Sequence, residues 1–112
     1  MNQDPKSFLP MHPLAFRVLM AVVKGPSFGT AIVQSIERAE TGQRLYPANL
    51  YRRIRDLLAD GLLEECAGPT QADSRRSYVQ LTALGRHVAH AEARRLHELT
   101  LDARDLNLLS DA

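Results

Sequence analysis

The residues best suited to recognising another molecule lie close together between positions 46 and 55. This stretch carries Asn49 and three arginines, Arg52, Arg53 and Arg55. An asparagine can pair with adenine and an arginine with guanine, in each case through two hydrogen bonds. Tyrosines and further arginines suit contacts with phosphate oxygens. These residue types therefore indicate a surface that could contact both base edges and phosphates, if one element presents them together.

A helix that begins at Pro47 and is ended by Gly61 would present these residues together. Pro47 suits the first turn of a helix, and the apolar residues Leu50, Ile54, Leu57 and Leu58 recur at helical spacing. At 100° per residue, the opposite direction is taken by Ala48, Arg52, Arg55 and Ala59. The segment PANLYRRIRDLLADGLL, residues 47–63, is thus predicted to bury one face and to present the other.

The flanking segments predict the scaffold of this helix. A first helix begins at Pro13 and stops at Gly25-Pro26, and a second, capped by Ser27, closes at Thr41-Gly42. Two strands, 62–66 and 76–81, form a hairpin, and Thr82 caps a last helix from Ala83 to about Leu106. Three helices followed by a hairpin is the order of a winged helix-turn-helix. The predicted fold is mainly α with a small β-hairpin, a winged helix-turn-helix plus a long C-terminal dimerisation helix.

The predicted organisation follows from these elements. Residues 1–11 form a flexible arm or a short extra helix, 12–81 the winged helix-turn-helix, 82–107 the dimerisation helix and 108–112 a tail. In that fold the second helix of the pair enters the major groove of double-stranded DNA. The predicted DNA-binding residues are Tyr46, Ala48, Asn49, Tyr51, Arg52, Arg53, Arg55, Arg75 and Arg76. Asn49 and Arg52 would read bases, while Arg75 and Arg76 would act from the hairpin.

The last helix carries more apolar surface than its own domain could cover. At roughly 24 residues it would be roughly 36 Å long. Its first half can pack on its own domain, which leaves the far half bare. A second copy of the chain would bury this exposed apolar surface. The predicted dimer interface comprises Leu84, Val88, Ala91, Leu96, Leu99, Ala103 and Leu106.

Length and composition limit the remaining possibilities. With 112 residues the chain suits one domain, and its formal net charge is only +1. Between positions 13 and 55, however, the chain has seven basic residues and only two acidic ones. No apolar run approaches the roughly 20 residues of a membrane span, so we expect no membrane partner and a cytoplasmic, nucleoid-associated protein. Without a glycine-rich phosphate loop, paired carboxylates or a Cys-His arrangement, we expect neither an enzyme nor a cofactor.

Three ordered motifs resemble a known family. GPSFGTAIVQSI, YPANLYRRIRDLLADGLLEE and DSRRSYVQLTALGR look like the winged-helix core of PadR-family transcriptional regulators, over about residues 9–100. The resemblance, to the short branch with one C-terminal helix, implies that Tyr51 and its neighbours face DNA and that the last helix makes the dimer. It also implies that small aromatic or drug-like effectors can release the operator.

The chain departs from the family pattern at several positions. Gly-Thr is common in the family at the positions of Ala48-Asn49, so the operator sequence would differ from those that family members usually bind. Ser77, Val79 and Gln80 replace a lysine, a tyrosine and an arginine, which makes the wing less basic. The chain also has no tryptophan, so it cannot clamp a flat aromatic ligand between tryptophans as some relatives do.

The leading hypothesis is a sequence-specific, ligand-responsive repressor that acts as a homodimer on a two-fold symmetric operator. The alternative is a winged-helix module that contacts a protein partner and binds no specific DNA, motivated by the near-neutral net charge. A third interpretation is direct sensing of a metal or small molecule by the inter-subunit faces of the last helix, where His87, His90 and His97 could share one side. No cysteine or dense carboxylate cluster accompanies these histidines, so no metal site is predicted.

Overall fold

The computed structural model describes residues 3–39, 46–69 and 77–109. These residues form four α-helices, α1 (Pro13–Ala21), α2 (Gly29–Ala39), α3 (Pro47–Ala59) and α4 (Ala83–Asp105), and three strands, β1 (Ser27–Phe28), β2 (Leu63–Cys66) and β3 (Tyr78–Leu81). A single 3-10 turn, Pro5–Phe8, precedes α1. The predicted mainly α fold is confirmed, with a small three-stranded antiparallel sheet that contains the predicted β-hairpin. The predicted end of the second helix, Thr41-Gly42, lies outside the described residues.

The sheet has three strands, whereas the sequence predicted a two-stranded hairpin. Ser27 was expected to cap the second helix, but it begins β1 instead and pairs with Val79 of β3. Phe28 lies opposite Tyr78, and their rings meet edge to face with centroids 5.3 Å apart. The strand order is β1-β3-β2, all antiparallel. The first helix correspondingly ends at Ala21, four residues before the predicted Gly25-Pro26 stop.

The core forms where the three short helices meet the sheet and the start of α4. Fully buried side chains come from every layer, and they include Leu19 of α1, Ile32 of α2, Leu50 of α3, Leu63 of β2 and Val88 of α4. These residues fall at the helical and strand spacings seen in the sequence, because one face of each element must leave water. The resulting body holds α3 by its apolar face and leaves its opposite face at the surface.

The joint between the sheet and α4 is tightly packed. Thr82 Oγ1 accepts a hydrogen bond from the Gly85 N–H at 2.9 Å and donates one to the Gly61 carbonyl at 2.6 Å. A Cβ atom at Gly85 would lie only 1.9 Å from the backbone oxygen of Leu62. Only glycine allows the helix to approach the sheet this closely. The position of α4 is therefore fixed at its first turn.

The N-terminal segment, residues 3–12, packs along α4 before the chain enters α1. Asp4 caps the 3-10 turn by accepting from the Lys6 N–H at 2.9 Å. Further along, the Met11 N–H donates to Glu92 Oε2 at 2.7 Å. Phe8, Leu9 and Met11 add apolar contacts with the core. Residues 3–12 are thus held between the ends of α1 and the middle of α4.

Candidate nucleic-acid interface

Helix α3 presents the residues predicted to read bases. Leu50, Ile54 and Leu57 are buried on its inner face, whereas Asn49 and Arg52 are exposed on the outer side. Pro47 occupies the first turn, and the Asn49 N–H donates to the Tyr46 carbonyl at 2.9 Å. Because Asn49 and Arg52 are three residues apart, their side chains lie next to each other at the N-terminal end of the helix.

Most of the other predicted contact residues on α3 share this exposed surface. Tyr46, Ala48 and Arg55 are all exposed, as the helical spacing requires. No acidic residue lies in the first turn of α3. The positive end of the helix dipole is thus left available to an anion such as a phosphate group.

Tyr51 is placed by contact with α2. A Cβ atom built at Gly29, the first residue of α2, would lie 2.6 Å from Tyr51 Cε1. The ring therefore packs closely against Gly29, and a larger residue there would require the ring to move. About a third of the Tyr51 surface stays exposed and is available for a further contact.

Arg53 differs from the two neighbouring arginines. It is half-buried, and its Nε atom is buried with no hydrogen-bond partner among the residues that the structure describes. Its side chain lines a cavity between α3 and the N-terminal segment, together with Asp56 and Phe8. Arg53 is thus at the flank of the helix, behind the face that carries Arg52 and Arg55.

The wing is acidic in its described part. Glu64 and Glu65 of β2 are exposed, and Gln80 Nε2 donates to Glu64 Oε1 at 3.0 Å. The two arginines predicted to act from the hairpin, Arg75 and Arg76, lie outside the described residues. The strands β2 and β3 are paired in a defined register, with Glu65 opposite Val79 and Cys66 opposite Tyr78.

The seven residues predicted for the dimer interface fall into two groups. Val88 is fully buried in the chain's own core and has no surface to offer a partner, and Leu84 also packs there. Ala91 and Ala103 are partly exposed, while Leu96, Leu99 and Leu106 are exposed, Leu106 to 70%. The free apolar stripe on α4 therefore begins only after Glu92, where the helix extends past the core.

A model of the transcriptional regulator PadR-like family matches residues 18–91, well over half of the chain. The chain belongs to the PadR family. The matched residues run from α1 to the middle of α4 and include the whole exposed face of α3. The resemblance read from the three sequence motifs is thereby confirmed. PadR proteins are transcription regulators and not enzymes, and regulators of this family bind DNA.

Solved structures with the same fold are known from several organisms. A PadR-like transcriptional regulator from Bacillus cereus superimposes with a TM-score of 0.74 at 13% identity, covering 88% of this chain and 93% of that one. A PadR family regulator from Clostridium difficile gives 0.71 at 14% identity, covering 85% and 98%. The adhesin competence repressor AdcR from Streptococcus pyogenes gives 0.65 at 18% identity, covering 96% and 73%. At these identities the likeness establishes the winged-helix fold. No curated protein matches the chain significantly.

The histidines of this PadR protein are dispersed. His87, His90 and His97 are all exposed on α4. Within residues 3–39, 46–69 and 77–109, no three His, Cys, Asp or Glu side chains are grouped so that they could hold a metal ion. In the same ranges no helix is both long and apolar enough to cross a membrane.

Glu92 is the one buried charged residue in the described part of the PadR chain, with 1% of its surface exposed. Arg95 pairs with it through two hydrogen bonds, and the Met11 N–H supplies a third. Burial raises the pKa of the Glu92 carboxyl, but these hydrogen bonds and the charge of Arg95 outweigh it, so the pKa lies below its ordinary value. The sequence reasoning missed Glu92, although a glutamate three residues before an arginine on an apolar helical stripe was visible.

Proposed function

We propose that this PadR protein is a repressor that binds a two-fold symmetric DNA operator as a homodimer and releases it when a small-molecule effector binds. The observation that carries the proposal is the exposed pair Asn49 and Arg52 at the N-terminal end of a helix whose other face is buried. An α-helix of this kind fits the major groove of B-DNA, and its first turns reach the base edges. Such a regulator would act in the cytoplasm, at the nucleoid.

The residues divide between base readout and phosphate contact. Asn49 and Arg52 are our candidates for adenine and guanine, because each can form two hydrogen bonds with its base. Ala48, between Pro47 and Asn49, leaves room for the helix to approach and can contact a thymine methyl group. Tyr46, Tyr51 and Arg55 suit phosphates at the edge of the groove. Arg53 reaches a phosphate only if its side chain leaves the cavity behind α3.

The homodimer rests on the second half of α4. From Glu92 onwards, Leu96, Leu99, Ala103 and Leu106 continue the same stripe that Val88 buries in the core, and this continuation is exposed within the described chain. A shallow apolar groove between α1 and α4, lined by Phe16, Met20, Val23, Leu81, Arg86, Ala89, His90 and Ala93, extends the surface. A second copy would cover both and would set the two recognition helices about 34 Å apart, one turn of DNA.

The DNA contact is tested by selecting duplexes from a random pool and measuring affinity by fluorescence anisotropy. Asn49→Ala and Arg52→Ala together should weaken specific binding at least about 30-fold, since each two-bond contact contributes about 1–3 kcal/mol. Arg94→Ala, which removes an exposed arginine from α4, should leave affinity within about two-fold. Specific binding that survives the double substitution would contradict the assignment.

The dependence of binding affinity on salt concentration distinguishes DNA binding from the alternative, a protein-interaction module. Binding through several phosphate contacts weakens steeply as salt rises, because each contact releases condensed counterions. A mostly apolar protein contact has no such dependence. A flat salt profile for the selected duplex would therefore favour the alternative.

The dimer is tested by sedimentation at micromolar concentration. Leu99→Glu should dissociate the dimer, because it places a charge in the middle of the apolar stripe. The matched control is Leu101→Glu, which makes the same change at an exposed leucine on roughly the opposite side of the helix. A wild-type protein that sediments as a monomer, or equal effects of both substitutions, would contradict the proposed interface.

A further inference from the structure

A cavity of about 200 Å³ lies behind α3, between that helix and the N-terminal segment. Its apolar lining residues are Phe8, Pro10, Met11, Ala15, Leu57 and Leu62. Its polar lining residues are Arg53 and Asp56 of α3, Asp60 in the turn that follows α3, and His12, which precedes α1. The wall thus combines an apolar surface with one guanidinium, two carboxylates and one imidazole.

Arg53 lines this cavity and carries a hydrogen-bond donor for which the described part of the chain supplies no acceptor. Its Nε atom is buried and has no acceptor among the described residues, and no ion pair joins Arg53 to Asp56 or Asp60 there. In native proteins nearly all buried polar groups have a partner, and leaving one unpaired costs roughly 1–3 kcal/mol. Since Arg53 lines the cavity, a ligand oxygen that bound its guanidinium, with the side chain turned so that Nε reached the cavity wall, would remove this cost.

The charges around the cavity restrict the class of ligand. A simple anion would meet Arg53 but also the carboxylates of Asp56 and Asp60, while a simple cation would be attracted by the two carboxylates but would leave Arg53 without an acceptor. A molecule with both an acceptor oxygen and an ammonium group satisfies all three side chains at once. The volume is below the roughly 300–1,000 Å³ of sites for drug-sized ligands, so the molecule must be small.

We propose that this cavity binds a small zwitterion with an apolar body, such as a free amino acid with an aliphatic or aromatic side chain. Its carboxylate accepts from Arg53, its ammonium group donates to Asp56 and Asp60, and its apolar part lies against Phe8, Met11 and Leu57. The charged ends are held by α3 and by Asp60, the residue that follows it, and the apolar end lies between the N-terminal segment and Leu57 of α3.

The consequence for regulation rests on the proposed function. Arg53 belongs to the recognition helix, and a ligand carboxylate would hold its side chain in the cavity, away from phosphates. Loss of one phosphate contact lowers DNA affinity at every sequence and reduces the salt slope by about 1. The ligand is thus expected to weaken DNA binding without changing the preferred operator.

Binding is measured by calorimetry on the full-length protein without DNA. The zwitterionic probes are L-leucine, L-methionine and L-phenylalanine, and the truncated probes are 4-methylpentanoate, which lacks the ammonium group, and isoamylamine, which lacks the carboxylate. At least one zwitterion should bind with a Kd below about 1 mM, and its truncated analogue should bind at least about ten-fold more weakly. The resonance of the Arg53 Nε–H should shift on binding.

Matched variants place the ligand in this cavity. Arg53→Gln, and Asp56→Asn combined with Asp60→Asn, should each weaken zwitterion binding at least about ten-fold. Arg38→Gln, which makes the same charge change at an exposed site on α2, should not. If no zwitterion binds, or if Arg53→Gln binds as the wild type does, the proposal is overturned. Because calorimetry needs no DNA, this failure is distinguishable from a failure of operator binding.

Discussion

Replacing Glu92 by alanine is expected to destabilise this PadR protein by about 3 kcal/mol at pH 7. The Glu92 carboxylate is almost fully buried and accepts from the Met11 N–H at 2.7 Å. A hydrogen bond to a charged group contributes about 1.5–3 kcal/mol. The ion pair with Arg95, whose side chain is about a third exposed, adds a smaller contribution because solvent screens it. Alanine removes both interactions and leaves the Met11 N–H without its acceptor.

Glu92→Gln separates the hydrogen bond from the charge. The amide oxygen of glutamine can still accept from Met11, and the side chain fills the same space, so this variant should lose only about 1 kcal/mol. The matched control is Glu98→Gln, the same change at an exposed position of α4, which should have little effect.

Thermal unfolding at one fixed protein concentration measures these differences, since the proposed dimerisation would make the midpoint depend on concentration. For a chain of this length, 3 kcal/mol corresponds to a fall in Tm of about 12 °C. Amide hydrogen exchange at Met11 should accelerate in Glu92→Ala and much less in Glu92→Gln. Equal losses of stability in the two Glu92 variants would refute the reasoning, because the hydrogen bond to Met11 would then contribute nothing.

The pH dependence gives a second measurement of the same interaction. The pKa of Glu92 in the folded chain lies below the ordinary value of 4.5. Its contribution to stability is therefore complete above about pH 4.5 and is lost as the pH falls through the folded-state pKa. The difference in stability between wild type and Glu92→Gln should shrink over this acidic range. A difference that stays constant down to pH 3 would contradict the assigned shift.

Three further predictions follow from other contacts. Gly85→Ala should cost about 3 kcal/mol in urea unfolding, because its Cβ would lie 1.9 Å from the Leu62 carbonyl oxygen and neither backbone can move aside; a loss below about 1 kcal/mol would show that α4 can shift. Thr82→Ala should cost about 1 kcal/mol by removing the helix cap, while Thr82→Ser should keep it and stay near wild type. Cys66 should react slowly with thiol reagents at pH 7, since burial raises the pKa of its thiol; a rate equal to that of free cysteine would contradict this.

The local sequence was sufficient to predict those elements whose own residues show a regular apolar spacing or a capping residue. The apolar residues of α3 and the cap at Thr82 are signals contained within one element, and the structure places both as predicted. The strand at Ser27–Phe28 is different, because two residues are too few to show the alternating apolar pattern that predicts a strand. It exists because Phe28 meets Tyr78, which is 50 positions away in the sequence. A serine after Gly25-Pro26 is as good a cap as a strand residue until that pairing is known.

The three arginines of α3 show the same limit within the site. Helical spacing places Arg53 only 100° from Arg52, on the flank of the exposed face, and the sequence alone assigned both to DNA. Which side of the helix is covered at that flank depends on the N-terminal segment, whose position is fixed by Glu92 on α4 through Met11. No pattern within α3 contains this information.

The N-terminal segment that is anchored to the proposed dimerisation helix also encloses Arg53. A change at Glu92 should therefore alter ligand binding at Arg53 as well as stability. A Glu92→Ala variant whose affinity for the zwitterionic probes equals that of the wild type would show that the cavity does not depend on this anchor.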